Sequence, residues 1–181
     1  QWLELSMINN HDPLDSHQSE SRLEYSGTEE LIDSEEGLAR YNRDVVKKIA
    51  QGFGMKKHAG QRMSVLEFGA GTGVLAEIWE SDYGISPTCV EIAPSLQKIL
   101  IRKGFKTLEN IAKLSQEQSF IYTSNVLEHI EDDLAALRQI RSHLEIEGKL
   151  AIYVPALPIL FSDLDRRVGH FRRYRKRELI T

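Results

Sequence analysis

Three observations predict an α/β fold with a doubly wound, mostly parallel sheet. The apolar run Met63, Val65, Leu66 and Phe68 stops in Gly69, Gly71 and Gly73, and Val74, Leu75, Ile78 and Trp79 then follow at helical spacing. Strand-like and helix-like segments alternate from there to Val154. Glu67, Glu91 and Asn125 fall at the ends of three different strands, the end where open α/β sheets place their ligands.

The bulk properties narrow the field. A chain of 181 residues that is 41% hydrophobic can bury one domain core. A net charge of -4 gives no general attraction to nucleic acid or anionic membrane. No apolar run approaches the roughly 20 residues that span a bilayer. The polar, acidic first residues do not read as a secretory signal. The single cysteine, Cys89, excludes an internal disulfide and suits a reducing cytoplasmic setting. Four Cys or His residues at zinc spacing are absent, and no metal is expected.

The elements follow in order. Residues 1–24 read as a disordered leader, and residues 25–181 as one domain. Leu31, Ile32, Leu38, Tyr41, Val45, Val46 and Ile49 give a helical stripe over 28–53, with Asp33 or Ser34 as an internal cap and Gly52 and Gly54 at its end. Its Tyr41 and Asn42 either pack on the sheet edge or cover the glycine turn. Thr88, Cys89 and Val90 form a short second strand ending in Glu91. Pro94 opens a helix that carries Leu96, Ile99 and Leu100 and stops at Gly104. Phe105–Leu108 is a weak third strand and Ser119–Thr123 a fourth. The next helix has Asp132 and Asp133 in its first turn and Leu134, Leu137, Ile140 and Leu144 on one face. Glu147 and Gly148 turn the chain into a fifth strand, Lys149–Val154, ended by Pro155.

The glycine spacing is informative. The dinucleotide fingerprint is G-x-G-x-x-G, but here Val74 occupies its third glycine position and an acid, Glu67, precedes the turn. A carboxylate there suits a ligand with a positive charge and hydroxyls better than a pyrophosphate. The E-x-G-x-G-x-G pattern resembles the first motif of class I S-adenosylmethionine-dependent methyltransferases. Asn125-Val126-Leu127-Glu128-His129 resembles their segment after the fourth strand. Asp165, Gly169-His170, Arg172-Arg173-Tyr174 and Glu178-Leu179 resemble the segment after the fifth strand in the methyltransferase type 11/12-like subgroup.

The resemblance implies a Rossmann-like fold, here lacking the last two of seven strands, so the domain is expected to be truncated after Thr181. It implies S-adenosyl-L-methionine as methyl donor and S-adenosyl-L-homocysteine as product. Gly69, Ala70, Gly71 and Gly73 would give backbone access, Glu67 would serve the amino group and Glu91 the ribose. Ile92 would lie against the adenine, Asn110 or Glu109 near its amino group, Asn125 near the methionine end, and Tyr41 over the cofactor. His129 is the candidate general base, with Glu128 and His129 alternatively structural or metal-binding. His170, Arg173 and Tyr174 would recognise a small-molecule acceptor, anionic or phosphate-bearing in view of Arg166, Arg167, Arg172, Arg173, Arg175, Lys176 and Arg177. Nucleic acid is not the expected partner. A non-catalytic S-adenosylmethionine-binding module and a nicotinamide-dependent oxidoreductase stand as alternatives.

Overall fold

The structure is a computed structural model that describes residues 38–55 and 63–179. The expected leader and the cap at Asp33 or Ser34 lie outside the described residues. Five parallel strands form one sheet in the order β3-β2-β1-β4-β5. They are β1 (Val65–Phe68), β2 (Thr88–Val90), β3 (Thr107–Leu108), β4 (Gln118–Ser124) and β5 (Leu144–Tyr153). The strand order reverses between β1 and β4, which opens a crevice at their carboxyl ends.

The central strand is apolar on both sides because helices cover both faces. On one face Val65 joins Phe120 and Tyr122 under α1 (Ala39–Phe53) and α2 (Val74–Tyr83). Trp79 is fully buried there, with its ring 4.9 Å from Tyr83 and 5.7 Å from Tyr122. α3 (Pro94–Arg102) lies farther along, packing Leu100 with Ala76, Cys89 and Phe105. On the other face Leu66, Phe68 and Ile121 meet Ala136 and Ile140 of α4 (Asp133–Arg141). Fully burying an aliphatic side chain such as Leu66 or Ile140 contributes about 1.5–3 kcal/mol.

Four expectations are corrected. Leu134 is 60% exposed, and α4 turns Ala136 and Ile140 inward instead. Asp132 sets the helix start by accepting the Ala135 N–H at 2.9 Å, and the helix ends at Arg141. Leu144 is therefore not a helix residue: it begins β5 and pairs with Gln118. Glu147 and Gly148 do not separate two elements. They lie in a register shift within β5, where Gln118 pairs with Leu144 but Phe120 with Lys149, and the extra chain bulges outward with Glu145, Ile146 and Glu147 exposed. The third strand is also shorter than expected, because Phe105 turns into the α3 cluster rather than joining the ladder.

Beyond β5 the chain folds back over the strand ends. A short helix, α5 (Asp163–Arg167), is closed by a capping box between Ser162 and Asp165. Ala156 and Tyr174 then form a parallel bridge, with the Tyr174 N–H donated to Pro155 at 2.9 Å. Phe171 donates its N–H to the Glu128 carbonyl at 2.7 Å. These bonds hold residues 165–174 against the turn that follows β4.

Candidate functional site

The glycine turn hangs from β2. The N–H groups of Gly69 and Ala70 both reach the Val90 carbonyl, at 2.8 and 3.0 Å. The next amide, of Gly71, donates to Glu91 Oε2 at 2.8 Å, and Glu91 Oε1 accepts the Ala93 N–H at 3.0 Å. One carboxylate thus joins the turn to the start of α3. Gly69 has φ 78°, and a Cβ there would lie 2.4 Å from Val126 Cγ2. Gly73 has φ 85°, and its Cβ would lie 2.7 Å from Leu100 Cδ2. Both positions need glycine for conformation and for space, but Gly73 serves the contact between α2 and α3. It is not among the residues lining the cavity next to the turn.

That cavity has a volume of ≈ 240 Å³. Glu67, Gly69, Ala70, Gly71, Glu91, Ile92, Asn125 and His129, at or beyond neighbouring strand ends, line it together with Tyr41 of α1. Val126, from the segment after β4, supplies apolar wall together with Leu38, Leu75 and Leu96, which the motifs did not mark. They stand at element ends without a chemical signature, and only a periodicity count extended to the cavity end of each helix points to them. Among the described residues no lysine or arginine lines the cavity, whereas two carboxylates do.

Five expected site residues lie elsewhere. Asn110 caps a turn, its Oδ1 accepting the Ala112 N–H at 2.9 Å. Arg173 grips Asp165 through Nε at 2.8 Å and Nη2 at 3.0 Å. Tyr174 is 6% exposed in the α4-side core and donates its hydroxyl to Asp133 Oδ2 at 2.8 Å. His170 is outside the cavity wall but packs edge-on against His129, with ring centroids 4.6 Å apart. Gly73 is the fifth. Three members of the basic run are engaged internally: Arg166 with Asp163, Arg172 with Asp133, and Arg173 with Asp165.

Electrostatics single out Glu67. It is 2% exposed and its Oε2 has no hydrogen-bond partner. Burial raises its pKa to about 8; the neighbouring Tyr122 hydroxyl opposes the rise and Glu91 adds to it. Asn125 stands at the tip of β4 with φ 54°, a left-handed conformation sparsely used by residues other than glycine and concentrated at functional sites. Burial also raises the Tyr41 hydroxyl, whose ring meets Tyr153 edge-on at 6.2 Å.

His129 has its pKa lowered to about 4, by burial first and by His170 second, so it is neutral around pH 7. Burial raises Glu128 to about 7. The Arg173 guanidinium, helped by Ser162 and His170, holds Asp165 far below the usual carboxylate range.

A parallel sheet of order 3-2-1-4-5 with a Gly-rich turn after β1 and acidic groups at the strand tips is the Rossmann-like class I methyltransferase fold. The family described as methyltransferase domain matches residues 34–180, and the chain belongs to it. Among solved structures, a Methanococcus maripaludis protein assigned as an S-adenosyl-L-methionine-dependent methyltransferase is 15% identical, with TM-score 0.60 over 72% of this chain and 63% of that one. Streptomyces venezuelae DesVI is 15% identical, with TM-score 0.56 over 77% of this chain and 61% of its own. The glycopeptide N-methyltransferase MtfA complexed with S-adenosyl-L-methionine is 20% identical, with TM-score 0.52 over 64% of this chain and 55% of its own. The chain therefore spans less than two thirds of the length of these structures. No curated protein matches the sequence. Among the described residues no helix is long and apolar enough to cross a membrane.

Proposed function

We propose that this chain transfers a methyl group from S-adenosyl-L-methionine to a small-molecule acceptor. One observation carries the reading. A single cavity is lined by the glycine turn, by the buried Glu67 with an unpartnered oxygen, and by Glu91 and Asn125 from two further strand tips. A buried carboxylate without a partner is costly and gains most from a cation, which the ammonium of the methionine moiety supplies. Glu91 keeps acceptor capacity for ribose hydroxyls while its oxygens hold the turn. A dinucleotide fits less well. The Gly71 amide is already donated to Glu91, no cationic side chain among the described residues lines the cavity, and two carboxylates would face a pyrophosphate.

The donor supplies an activated methyl, and the protein's part is alignment of donor and acceptor. Glu67, Glu91 and Asn125 orient it, and the apolar wall around Ile92 and Leu96 receives the adenine. His129 lines the same cavity; with a pKa of about 4 it is neutral around pH 7 and a weak base. The acceptor approaches from the side of His129. The lone, buried Cys89 fits a reducing compartment such as the cytoplasm.

Isothermal titration tests the reading. S-adenosyl-L-homocysteine should bind, and Glu67→Gln should weaken it at least tenfold. Binding of NAD with no binding of S-adenosyl-L-homocysteine would overturn it. Turnover of methyl-labelled donor against an acceptor library separates an enzyme from a non-catalytic binding module.

A further inference from the structure

We propose that Glu128, His129 and His170 form a binding site for a divalent transition-metal ion at the acceptor side of the cavity. One ligand atom from each residue lies within 4.8 Å of the others. Ligands at about 2.0–2.2 Å from a shared ion stand roughly 3–3.5 Å apart, so binding draws the three together by about an ångström.

Glu128 points to a cation most directly. It is fully buried and both its carboxylate oxygens lack a hydrogen-bond partner. The His170 Nε2 is 4.0 Å from Oε1, beyond hydrogen-bond reach. Two orphaned oxygens on one buried side chain cost stability, and a metal ion between them and the imidazoles removes that cost.

The groups behind the histidines are arranged as a metal site requires. Asp165 is 1% exposed, and its Oδ1 lies 2.9 Å from His170 Nδ1. Arg173 and Ser162 keep that carboxylate ionised and fixed. His170 therefore holds its proton on Nδ1 and turns the lone pair of Nε2 toward Glu128. His129 has a hydrogen bond to the Gly169 backbone, which engages one ring nitrogen and orients the imidazole. A carboxylate behind one histidine and a backbone group behind the other are the usual outer partners of metal-bound imidazole. The Phe171 N–H bonded to the Glu128 carbonyl locks the two ligand segments together.

Two imidazoles and one carboxylate suit Zn²⁺ or Co²⁺ better than Mg²⁺ or Ca²⁺. Three protein ligands leave further positions open, as in catalytic rather than structural sites. His129 belongs to both the cluster and the cavity wall, so an oxygen of the acceptor can take an open position. That use of the ion rests on the methyl-transfer reading; the metal site itself does not.

The test titrates Zn²⁺, and separately Co²⁺, into the chelator-stripped protein, with S-adenosyl-L-homocysteine titrated in parallel. One equivalent should bind at micromolar Kd or tighter, and Co²⁺ should give the visible absorption of a nitrogen and oxygen ligand set. Glu128→Gln and His170→Ala should each weaken Zn²⁺ at least 30-fold, and Asp165→Asn by 10–100-fold. Circular dichroism and retained S-adenosyl-L-homocysteine binding show that each variant folds. If Glu128→Gln fails to fold, His170→Gln carries the test. No stoichiometric binding, or affinity unmoved by the Glu128 and His170 variants, overturns the proposal. S-adenosyl-L-homocysteine binding without Zn²⁺ binding refutes the metal site alone, and the reverse refutes the donor reading alone.

Discussion

Glu91 Oε2 accepts the Gly71 N–H at 2.8 Å, joining the tip of β2 to the middle of the glycine turn across twenty residues of sequence. Its other oxygen holds Ala93 at the start of α3. The side chain proposed to hold the ribose thus also builds the glycine turn. Glu91→Ala removes both bonds and leaves two amides unpaired. A loss of about 1–3 kcal/mol in stability is expected from the orphaned groups, together with S-adenosyl-L-homocysteine affinity at least tenfold weaker. Urea unfolding and titration calorimetry measure the two. Unchanged stability would show that the bonds to Gly71 and Ala93 contribute nothing net.

Glu67 makes the ligand-free protein pH-sensitive. Its pKa rises from 4.5 to about 8 on folding, chiefly through burial. The folded state then binds the extra proton, so stability is lost as pH rises from about 4.5 to about 8. Glu128 and His129 titrate in overlapping ranges, so the difference between wild type and Glu67→Gln isolates Glu67. The variant should lose part of the downward slope and be more stable by about 1–3 kcal/mol at pH 8. Melting temperatures from pH 5 to 9 decide it; parallel curves would refute the assignment. S-adenosyl-L-homocysteine affinity in the wild type should rise with pH over the same window as the carboxylate ionises.

Glycines 73 and 52 should respond in opposite directions to alanine. Gly73 has φ 85° and faces Leu100, which is fully buried. Gly73→Ala should cost about 2–4 kcal/mol through the left-handed backbone and overpacking. Gly52 lies within α1 with nothing within 4 Å of a Cβ. Gly52→Ala should stabilise by about 0.5–1 kcal/mol. Chemical unfolding of both variants checks the pair.

Tyr174 is a core residue with a satisfied hydroxyl, not a wall of the cavity. Tyr174→Phe should cost about 1 kcal/mol through the lost bond to Asp133, with KM for the acceptor unchanged once one is found. A raised KM at unchanged stability would restore Tyr174 as an acceptor contact.

Asp165 should govern stability in acid. Arg173 first, then Ser162 and His170, hold its pKa below the ordinary 3.8. Its contribution is complete above that ordinary value and fades as pH falls below it. Asp165→Asn should therefore destabilise at pH 7 and flatten the acid limb between about pH 4 and pH 2. Equal acid limbs in the two proteins would contradict this.

The cavity end formed by the glycine turn and the tips of β1 and β2 was legible in the sequence because its signals are local. An apolar run ending in glycines encodes a strand, a tight turn and a helix through backbone dihedrals and side-chain period alone. Glu67 two residues before that turn and Glu91 about 20 residues after it lie at strand tips by chain geometry. Local patterning also gave the five strands and their parallel order of succession. What the fold alone decided is which side chains spend their polar groups on one another. The segment after β5 carries His170, Arg173 and Tyr174 within five residues, and nothing local distinguishes them. Folding sends Tyr174 into the core, ties Arg173 to Asp165, and leaves His170 beside His129 and the unpartnered Glu128. That sorting depends on burial and on contacts between residues that are eight apart for Arg173 and Asp165 and about 40 apart for the others, which no sequence period encodes.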